Sequence, residues 1–501
     1  MSYTSDYLNV HDDSSRLLPF LSKVQQEIHV LESNQLESLT SYLLADLDTK
    51  AQKEWDEQVT TQALLTLKHL GRRVDDCDML YKKQGFHILI KWTGLLESSQ
   101  LVDTSASREA LKCLANCILL SGDAMKIWLI ESKNALCTCV RLLSSDSVSV
   151  DIQFLICRLL YLMTCGDGPC IIDTLMELNL ATALAKILSK QVDGWLQDTL
   201  TYSAANPPYT QQPAMLVCEA FKLQRNVMIA LQETKPTSDD STDSLTIKEE
   251  VSERFTASLT PILDILYILP RPTPLPLVPA SVVNNALFAL NLYTYNLVRA
   301  GWYASPRLLP YCTSGRETAL NFCVDTLFGV LQDTLVYLMP PISSTNARPT
   351  SGLFLPSPSY QTNADEELDR AMALIVSYLI STLTLIEEAG LNHSIVLTDP
   401  PLFPRLVKLL SSTRFTQVRE MVGELLYSYV DEDANALIAL VGYDQAKQTL
   451  LAKEGAVPDP PAHSQGTLAE DLFQPAEMTE EEKEREAERL FVMFERVQLQ
   501  D

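Results

Sequence analysis

Apolar residues recur at spacings of three and four along almost the whole 501-residue chain, and this period constrains the fold more than any other feature. Leu111, Leu114, Ala115 and Ile118 form one such set. Alternation with a period of two, which would indicate strands, is almost absent. Glycine, which weakens helices, occurs 16 times. The pattern predicts a nearly all-α protein.

Length decides how these helices can be arranged. A single hydrophobic core stops growing at roughly 250–300 residues, and the helices do not fall into two compositionally separate halves. An α-solenoid avoids this limit, because each repeat buries its apolar face against its neighbours. We therefore predict an α-solenoid.

Asparagine recurs at one helical phase. Three segments place it six residues after a small or polar residue: Ala110–Asn116, Ala220–Asn226 and Asn285–Asn291. Asparagine is a mediocre helix former, so its recurrence needs a reason. Inner-face asparagines of armadillo repeats hydrogen-bond the backbone of a peptide in the groove, which makes Asn116, Asn226 and Asn291 candidate groove residues. The alternative is that each caps a neighbouring turn or bonds a loop.

Composition and charge limit the expected cellular compartment and the expected classes of partner. The formal net charge of -25 opposes phosphate neutralisation, so nucleic acids and anionic membrane surfaces are not expected partners. The first residues lack the basic start and apolar stretch of a signal peptide. The apolar run Ala371–Ile386 is too short to span a bilayer and predicts a buried helix. We expect a cytosolic protein whose eleven cysteines are mostly free and buried.

Three segments interrupt the helical pattern. Residues 233–253 are rich in acids, serine and threonine and predict a solvated loop. Pro270–Pro279 predicts a stiff extended crossing, and Pro340–Asp365 cannot form one helix. The predicted division is 1–232 N-terminal repeats, 233–253 acidic loop, 254–339 middle repeats, 340–366 Pro/Ser-rich insertion, 367–455 C-terminal repeats, 456–478 linker and 479–497 C-terminal helix.

The tail predicts a detached amphipathic helix. Thr479 as N-cap and Glu482 three residues later form a capping box. The apolar stripe includes Leu490, Phe491, Met493 and Phe494. Such a helix has to dock on the solenoid or on a partner.

Motifs for side-chain chemistry are missing. The chain has no Gly-rich phosphate loop, no HExxH, no GxSxG and no CxxC pair. Cys113 and Cys117 lie four apart on a helix, where core packing explains them better than a metal. We expect no metal, no cofactor and no catalytic side chains, which leaves a binding surface.

Six segments carry a resemblance to a known family. They are ALKCLANCIL at 110–119, FLICRLLYLMT at 154–164, EAFKLQRNVMIAL at 219–231, NALFALNL at 285–292, LVGYDQAKQTLLAKEG at 440–455 and MTEEEKEREAERLFVMFERV at 478–497. Together they resemble the synembryn (Ric-8) family, in order over most of the chain, and most closely a fungal member.

The resemblance implies a fold and a function. It implies an armadillo and HEAT-like solenoid that acts on heterotrimeric G-protein α subunits (Gα) as a folding chaperone and non-receptor guanine nucleotide exchange factor. The concave groove would capture the C-terminal helix of nucleotide-free or GDP-bound Gα, so that GDP escapes, and GTP would end the complex. We expect a cytoplasmic monomer that reaches the cell cortex or plasma membrane through Gα, without inserting into the membrane.

The resemblance also assigns residues. Asn116, Asn226 and Asn291 lie in its groove segments, although Gln224 and Arg225 replace the usual hydrophobic residues beside Asn226. Arg158 and Tyr161 would face the same groove; the alternative is an ordinary helix–helix contact. The apolar stripe of the C-terminal helix, rather than the resemblance, predicts its contact residues: Leu490, Phe491, Met493 and Phe494.

A basic stretch and a phosphorylation site are implied as well. Lys408, Arg414 and Arg419 match a cationic stretch that receives a phosphorylated linker. Thr467, with Glu470 three residues later, is the candidate phosphorylation site, but the dense acidic Ser/Thr cluster of animal members is missing.

A second function from a different class stays open. A solenoid scaffold or transport adaptor would bind linear peptides without altering a nucleotide state. Nucleotide release from the partner distinguishes the two.

Overall fold

The chain divides into two units, Met1–Leu397 and Thr398–Asp501. In the computed structural model, the described residues are 3–49, 55–96, 103–123, 126, 133–165, 169–201, 211–233, 241–268, 282–290, 292–294, 297–298, 300–301, 329, 331–332, 335, 339, 369, 372–373, 375–377, 379–380, 402–430 and 432–454. Within these ranges the regular elements are helices, without a strand, so the prediction of an all-α chain is confirmed.

The helices of the first unit begin and end as follows. They are α1 (Tyr3–Val10), α2 (Ser14–Glu27), α3 (Ser33–Thr49), α4 (Glu57–Leu70), α5 (Asp78–Tyr81), α6 (Lys83–Thr93), α7 (Ser105–Leu120), α8 (Lys133–Leu143), α9 (Val150–Thr164), α10 (Pro169–Glu177), α11 (Leu180–Thr201), α12 (Gln211–Glu233), α13 (Ser241–Arg254), α14 (Thr256–Ile268) and α15 (Val282–Leu290), with short 3-10 helices at Ile28–Val30 and Val74–Asp76.

Six of these helices form one layer, which we call the first layer: α2, α4, α7, α9, α12 and α15. Each packs against the next one in this series. A second layer covers it, because α8 contacts α9, α11 contacts α12 and α14 contacts α15. Stacking in which each repeat contacts its neighbours is the architecture of an α-solenoid, as predicted.

Side-chain caps fix where two first-layer helices begin. The Thr104 hydroxyl accepts from the Ser107 N–H at 3.0 Å, and Ser107 Oγ accepts from the Thr104 N–H at 3.1 Å, which closes a capping box before α7. Ser149 Oγ accepts from the Ile152 N–H at 3.3 Å before α9. These caps set the phase in which α7 and α9 present their side chains.

Helix α9 is buried on most of its circumference. Ile152, Ile156, Leu159, Leu160 and Met163 are fully buried, because α7, α8 and α12 all pack against this helix. Burial of each such side chain contributes roughly 1.5–3 kcal/mol before ordering costs. One narrow stripe of α9 therefore remains available for polar residues.

The prediction of an acidic loop over 233–253 is wrong for its second half. Helix α13 begins at Ser241 and packs against α12. Val251 and Ser252 are buried, and Ile247 lies one turn before Val251. The Ser252 hydroxyl donates to the carbonyl oxygen of Leu292 at 3.2 Å. A few residues at helical spacing are buried against α12, and they hold this helix in place although its average composition is acidic.

The described cysteines are free thiols. Cys77, Cys113, Cys117, Cys139, Cys157 and Cys218 are buried, and Cys137 and Cys165 are exposed. Burial raises the pKa of the Cys139 thiol to about 12. Such thiols behave as small apolar side chains.

The second unit contains α16 (Phe403–Leu410), α17 (Thr416–Tyr429), α18 (Ala434–Val441) and α19 (Tyr443–Glu454). Helix α17 packs against each of the other three, and α18 packs against α19. In the part of the chain that is described, no helix is long and apolar enough to cross a bilayer.

Candidate functional site

Four of the five predicted groove residues lie on three consecutive first-layer helices. Asn116 lies on α7, Arg158 and Tyr161 lie on α9, and Asn226 lies on α12; all four are half-buried. The fifth, Asn291, lies outside the described residues. Because α7 packs on α9 and α9 on α12, the four residues belong to one layer of the solenoid.

The face of α9 that stays partly exposed follows a helical stripe. Phe154, Arg158, Tyr161 and Cys165 follow one another at spacings of four, three and four, and each retains solvent exposure. The positions directly before and after Phe154, Arg158 and Tyr161 are buried in the core, whereas Thr164, beside Cys165, is half-buried. The sequence therefore fixes which α9 side chains can meet a partner.

An ion-pair cluster joins α9 to α12. The Arg158 guanidinium lies 3.1 Å from Glu219 Oε1, and Lys222 Nζ donates to the same oxygen at 2.9 Å. The side chains of Arg158 and Lys222 are 35% and 25% exposed, whereas that of Glu219 is 6% exposed. Glu219 Oε2 is buried and has no hydrogen-bond partner among the described residues.

Tyr161 lies beside this cluster. The Arg158 guanidinium lies over its ring, 5.9 Å from the centroid. Burial, followed by the neighbouring Cys165, raises the pKa of the Tyr161 phenol, although Arg225 opposes the shift. The phenol therefore stays neutral at physiological pH and can donate its hydroxyl proton.

The two described asparagines differ in their side-chain hydrogen bonds. Asn226 Nδ2 donates to Cys165 Sγ at 3.2 Å and lies 3.5 Å from Thr164 Oγ1, where α9 ends. That is the kind of contact described by the alternative interpretation of these asparagines. The Asn116 side chain makes no hydrogen bond to the described residues.

The unusual polar residues before Asn226 take part in packing. Gln224 is fully buried and donates to Tyr293 Oη at 2.8 Å, and Tyr293 in turn donates to the carbonyl oxygen of Phe255 at 2.9 Å. The Arg225 guanidinium lies over the Phe288 ring, 5.3 Å from its centroid. These contacts tie α12 to α15, to Tyr293 after the end of α15 and to Phe255 just before α14. They explain how α12 tolerates polar residues where the resemblance predicts hydrophobic ones.

The junction between α4 and α7 contains a related cluster. Glu109 Oε2 accepts from Lys68 at 2.6 Å, and Glu109 Oε1 accepts from Lys112 at 2.6 Å. Hydrogen bonds from Lys112 and Lys68 hold the pKa of the Glu109 carboxyl below its usual value, against the opposing effect of burial, which is the largest single influence.

Both clusters follow one sequence pattern. Residues 109–116 and 219–226 share Glu, Ala one residue later, Lys at the fourth position and Asn at the eighth. The recurring asparagine alone did not predict a role for Glu219 or Lys222. The repeated Glu and Lys at fixed distances before the asparagine were the signal that could have found them.

The predicted basic stretch lies in the second unit. Lys408 and Arg414 are exposed, and the Arg414 guanidinium lies 5.0 Å from the centre of the Phe415 ring. Arg419 is more buried, donates to the Ser412 carbonyl oxygen at 3.2 Å and lies 4.0 Å from Glu420. Arg419 thus helps to hold the connection between α16 and α17.

The predicted residues of the C-terminal tail lie outside the described residues: Thr467, Leu490, Phe491, Met493 and Phe494. The predicted insertion 340–366 and the linker 456–478 also lie outside them. Among the described side chains, no group of three His, Cys, Asp or Glu is arranged to hold a metal ion.

Comparisons with known proteins give one family. A family profile described as the guanine nucleotide exchange factor synembryn (Ric8) matches residues 63–390 and 398–501. The curated proteins contain no match. Among solved structures, an engineered protein is 16% identical over 90% of this chain and 94% of its own, with a TM-score of 0.43. That TM-score does not establish a shared fold.

Proposed function

Because the chain belongs to the synembryn family of guanine nucleotide exchange factors, we propose that it promotes nucleotide exchange on heterotrimeric G-protein α subunits and assists their folding. The observation that carries this proposal is the family match, which covers residues 63–390 and 398–501. The proposed partner is Gα in its nucleotide-free or GDP-bound state. The protein would act as a cytoplasmic monomer and reach the cell cortex or plasma membrane through Gα.

The proposed mechanism is capture of an open conformation. The first-layer face with Asn116, Arg158, Tyr161 and Asn226 would hold the C-terminal helix of Gα. A Gα molecule whose C-terminal helix is held outside its nucleotide domain keeps GDP less tightly. A protein that binds the open state shifts the population towards it, and GTP, which favours the closed state, reverses the shift. This mechanism needs binding energy and no catalytic side chain.

The asparagines give the proposal a local test. If Asn116 and Asn291 hydrogen-bond the backbone of the captured helix, alanine at either position should weaken the complex by about 1–3 kcal/mol, because a buried group of the partner loses its hydrogen bond. Thermal stability should change much less. If both variants melt early while the remaining folded protein binds normally, the asparagines are structural.

The C-terminal helix is proposed to contact Gα through Leu490, Phe491, Met493 and Phe494. Truncation at Ala476 should then weaken the complex and leave the melting temperature of the solenoid unchanged. A lower melting temperature with secondary loss of binding would instead assign the helix to the solenoid. Lys408, Arg414 and Arg419 of the C-terminal repeats are proposed to receive the linker when it is phosphorylated at Thr467.

One experiment separates exchange from scaffolding. The full-length chain and Gα of the same organism are mixed with GDP and passed over a size-exclusion column, with and without a non-hydrolysable GTP analogue. We expect co-elution with GDP and two separate peaks with the analogue. Co-elution that is unaffected by the nucleotide would favour a peptide-binding scaffold.

A further inference from the structure

Helix α13 has little apolar surface to hold it in the solenoid. From Thr246 to Arg254, the part of the helix with described side chains, only Val251 and Ser252 are buried, and Glu249 and Glu253 are exposed. The stability of a helix inside a protein comes mainly from packing of its apolar face. Burial alone therefore holds α13 weakly.

Hydrogen bonds hold the C-terminal end of α13 to the chain that follows α15. The hydroxyl of Ser252, which is fully buried, accepts from the Thr294 N–H at 3.2 Å. Ser252 Oγ also lies 3.2 Å from the carbonyl oxygen of Leu292 and 2.6 Å from that of Lys248. A hydroxyl has one proton, so two carbonyl oxygens share a single donor.

A second hydrogen bond reaches the corner between α13 and α14. The first helix ends at Arg254 and the second begins at Thr256, so Phe255 alone forms the corner. Tyr293 is buried, and its hydroxyl donates to the Phe255 carbonyl oxygen at 2.9 Å while it accepts from Gln224 Nε2 at 2.8 Å. We call these residues the latch: Ser252, Phe255, Tyr293 and Thr294.

The polar groups at the latch are incompletely satisfied. Thr294 Oγ1 is buried and has no hydrogen-bond partner among the described residues. Burial lowers the pKa of the Lys248 ammonium, one turn before Ser252, so its charge is less stable in the docked helix than in water. Water could satisfy both groups if α13 moved away. Release of α13 therefore costs less than separation of an apolar interface of similar size.

We propose that α13 is a strap that releases from α12 as a unit when the latch opens, while α12, α14 and α15 stay packed. These three helices are joined without α13, because α15 contacts both α12 and α14. The chain beyond the latch is anchored as well: a Cβ on Gly301 would meet Leu259 Cδ2 of α14 at 2.9 Å. The strap is a property of the fold and does not depend on the proposed function.

Amide hydrogen exchange of the full-length protein, followed by mass spectrometry, tests the strap. Peptides from α12, α13 and α14 report the opening of each helix separately, because an amide in a helix exchanges when that helix opens. Three variants change the latch: Ser252→Ala, Tyr293→Phe and Thr294→Val. Thermal melts confirm that each variant is folded.

Two controls lie outside the latch. Tyr81→Phe is the matched control for Tyr293→Phe, because Tyr81 is also a buried tyrosine whose hydroxyl donates to a backbone carbonyl oxygen, that of Gly71. Lys186→Gln is the control for a charge change in the second layer, where Lys186 pairs with Asp146 at 2.9 Å. Neither control should alter the exchange of α13.

We expect α13 of the wild type to exchange at least about tenfold faster than α12 and α14, after correction for intrinsic rates. Ser252→Ala and Tyr293→Phe should each accelerate the exchange of α13 about tenfold more, because each leaves a buried backbone group without its partner. Exchange of α12 and α14 should not change. Thr294→Val should slow the exchange of α13, because valine has the same shape and lacks the hydroxyl that gains a partner only on release.

Three results would overturn the proposal. The first is equal protection of α12, α13 and α14 in the wild type, which would mean that they open together. The second is unchanged exchange of α13, or equal acceleration of all three helices, in both Ser252→Ala and Tyr293→Phe. The third is faster exchange of α13 in Thr294→Val. If the first two variants fail to fold, the wild type and Thr294→Val still decide.

Discussion

The α4–α7 and α9–α12 junctions share a sequence pattern and differ in how it is satisfied. At the first, Glu109 receives one lysine on each carboxylate oxygen. At the second, Arg158 and Lys222 both bond Glu219 Oε1 and leave Oε2 without a partner among the described residues. The shared Glu and Lys thus form an ion-pair cluster with both carboxylate oxygens bonded at α4–α7, and one with a single bonded oxygen at α9–α12. Oε2 is buried, so the groups of this cluster that a partner can reach are the remaining N–H donors of Arg158 and Lys222, whose side chains are 35% and 25% exposed.

The asparagines of the two patterns show the reverse difference: the one at the α9–α12 junction is hydrogen-bonded within the chain, and the one at the α4–α7 junction is not. Asn226 is engaged with Cys165 at the end of α9, whereas Asn116 makes no hydrogen bond within the described part of the chain. At the α4–α7 junction the glutamate is fully hydrogen-bonded and the asparagine is not, whereas at the α9–α12 junction the asparagine is bonded and the glutamate only in part. A shared pattern therefore predicts the position of a side chain better than its role.

Replacing each of the two glutamates by glutamine should give the largest difference in stability between the two junctions. Glu109→Gln leaves the mostly buried Lys68 without a counter-charge and should cost about 1–3 kcal/mol of unfolding free energy. Glu219→Gln should cost less than about 1 kcal/mol, because its cations are more exposed and one oxygen is unpartnered already. Chemical denaturation of both variants measures the difference. Equal losses would show that the two junctions are energetically alike.

Acid should remove the contribution of Glu109. Its folded-state pKa lies below the ordinary value of 4.5, so as pH falls the unfolded chain binds a proton before the folded protein does. The stabilisation is complete above pH 4.5 and is lost as pH falls through the folded-state pKa. Unfolding free energies of wild type and Glu109→Gln, measured from pH 7 downward, should therefore converge below this value. A gap that persists in acid would mean that the carboxylate charge is not what stabilises this junction.

Alanine at the two asparagines should give the smallest effect on stability. Asn226→Ala removes the bond to Cys165 and should cost about 1 kcal/mol, whereas Asn116→Ala should change stability by less than about 0.5 kcal/mol. Thermal melts of the two variants under identical conditions measure this difference. The reverse order would mean that Asn116 has a structural role that its surroundings do not show.

The sequence predicted the helices and the layer, and it missed the cluster. Helical spacing singled out Asn116 and Asn226, and the family resemblance added Arg158 and Tyr161; the four lie on successive packed helices of the first layer. It could not show that Glu219 is buried between two cations, since burial of a charge depends on the helix that packs against it. The acidic composition of 233–253 wrongly predicted a loop, because buried residues such as Val251 pack a helix there despite the surrounding acids.

The central claim is that this chain releases nucleotide from Gα through the α9–α12 face. The most direct measurement is the rate of release of a fluorescent GDP analogue from Gα, with wild type, the double variant Arg158→Gln/Tyr161→Ala and the control Lys186→Gln. We predict that wild type and Lys186→Gln accelerate release equally and that the double variant, while folded, accelerates it at least about tenfold less. No acceleration by the wild type would contradict exchange activity, and full acceleration by the double variant would contradict the assignment of this face.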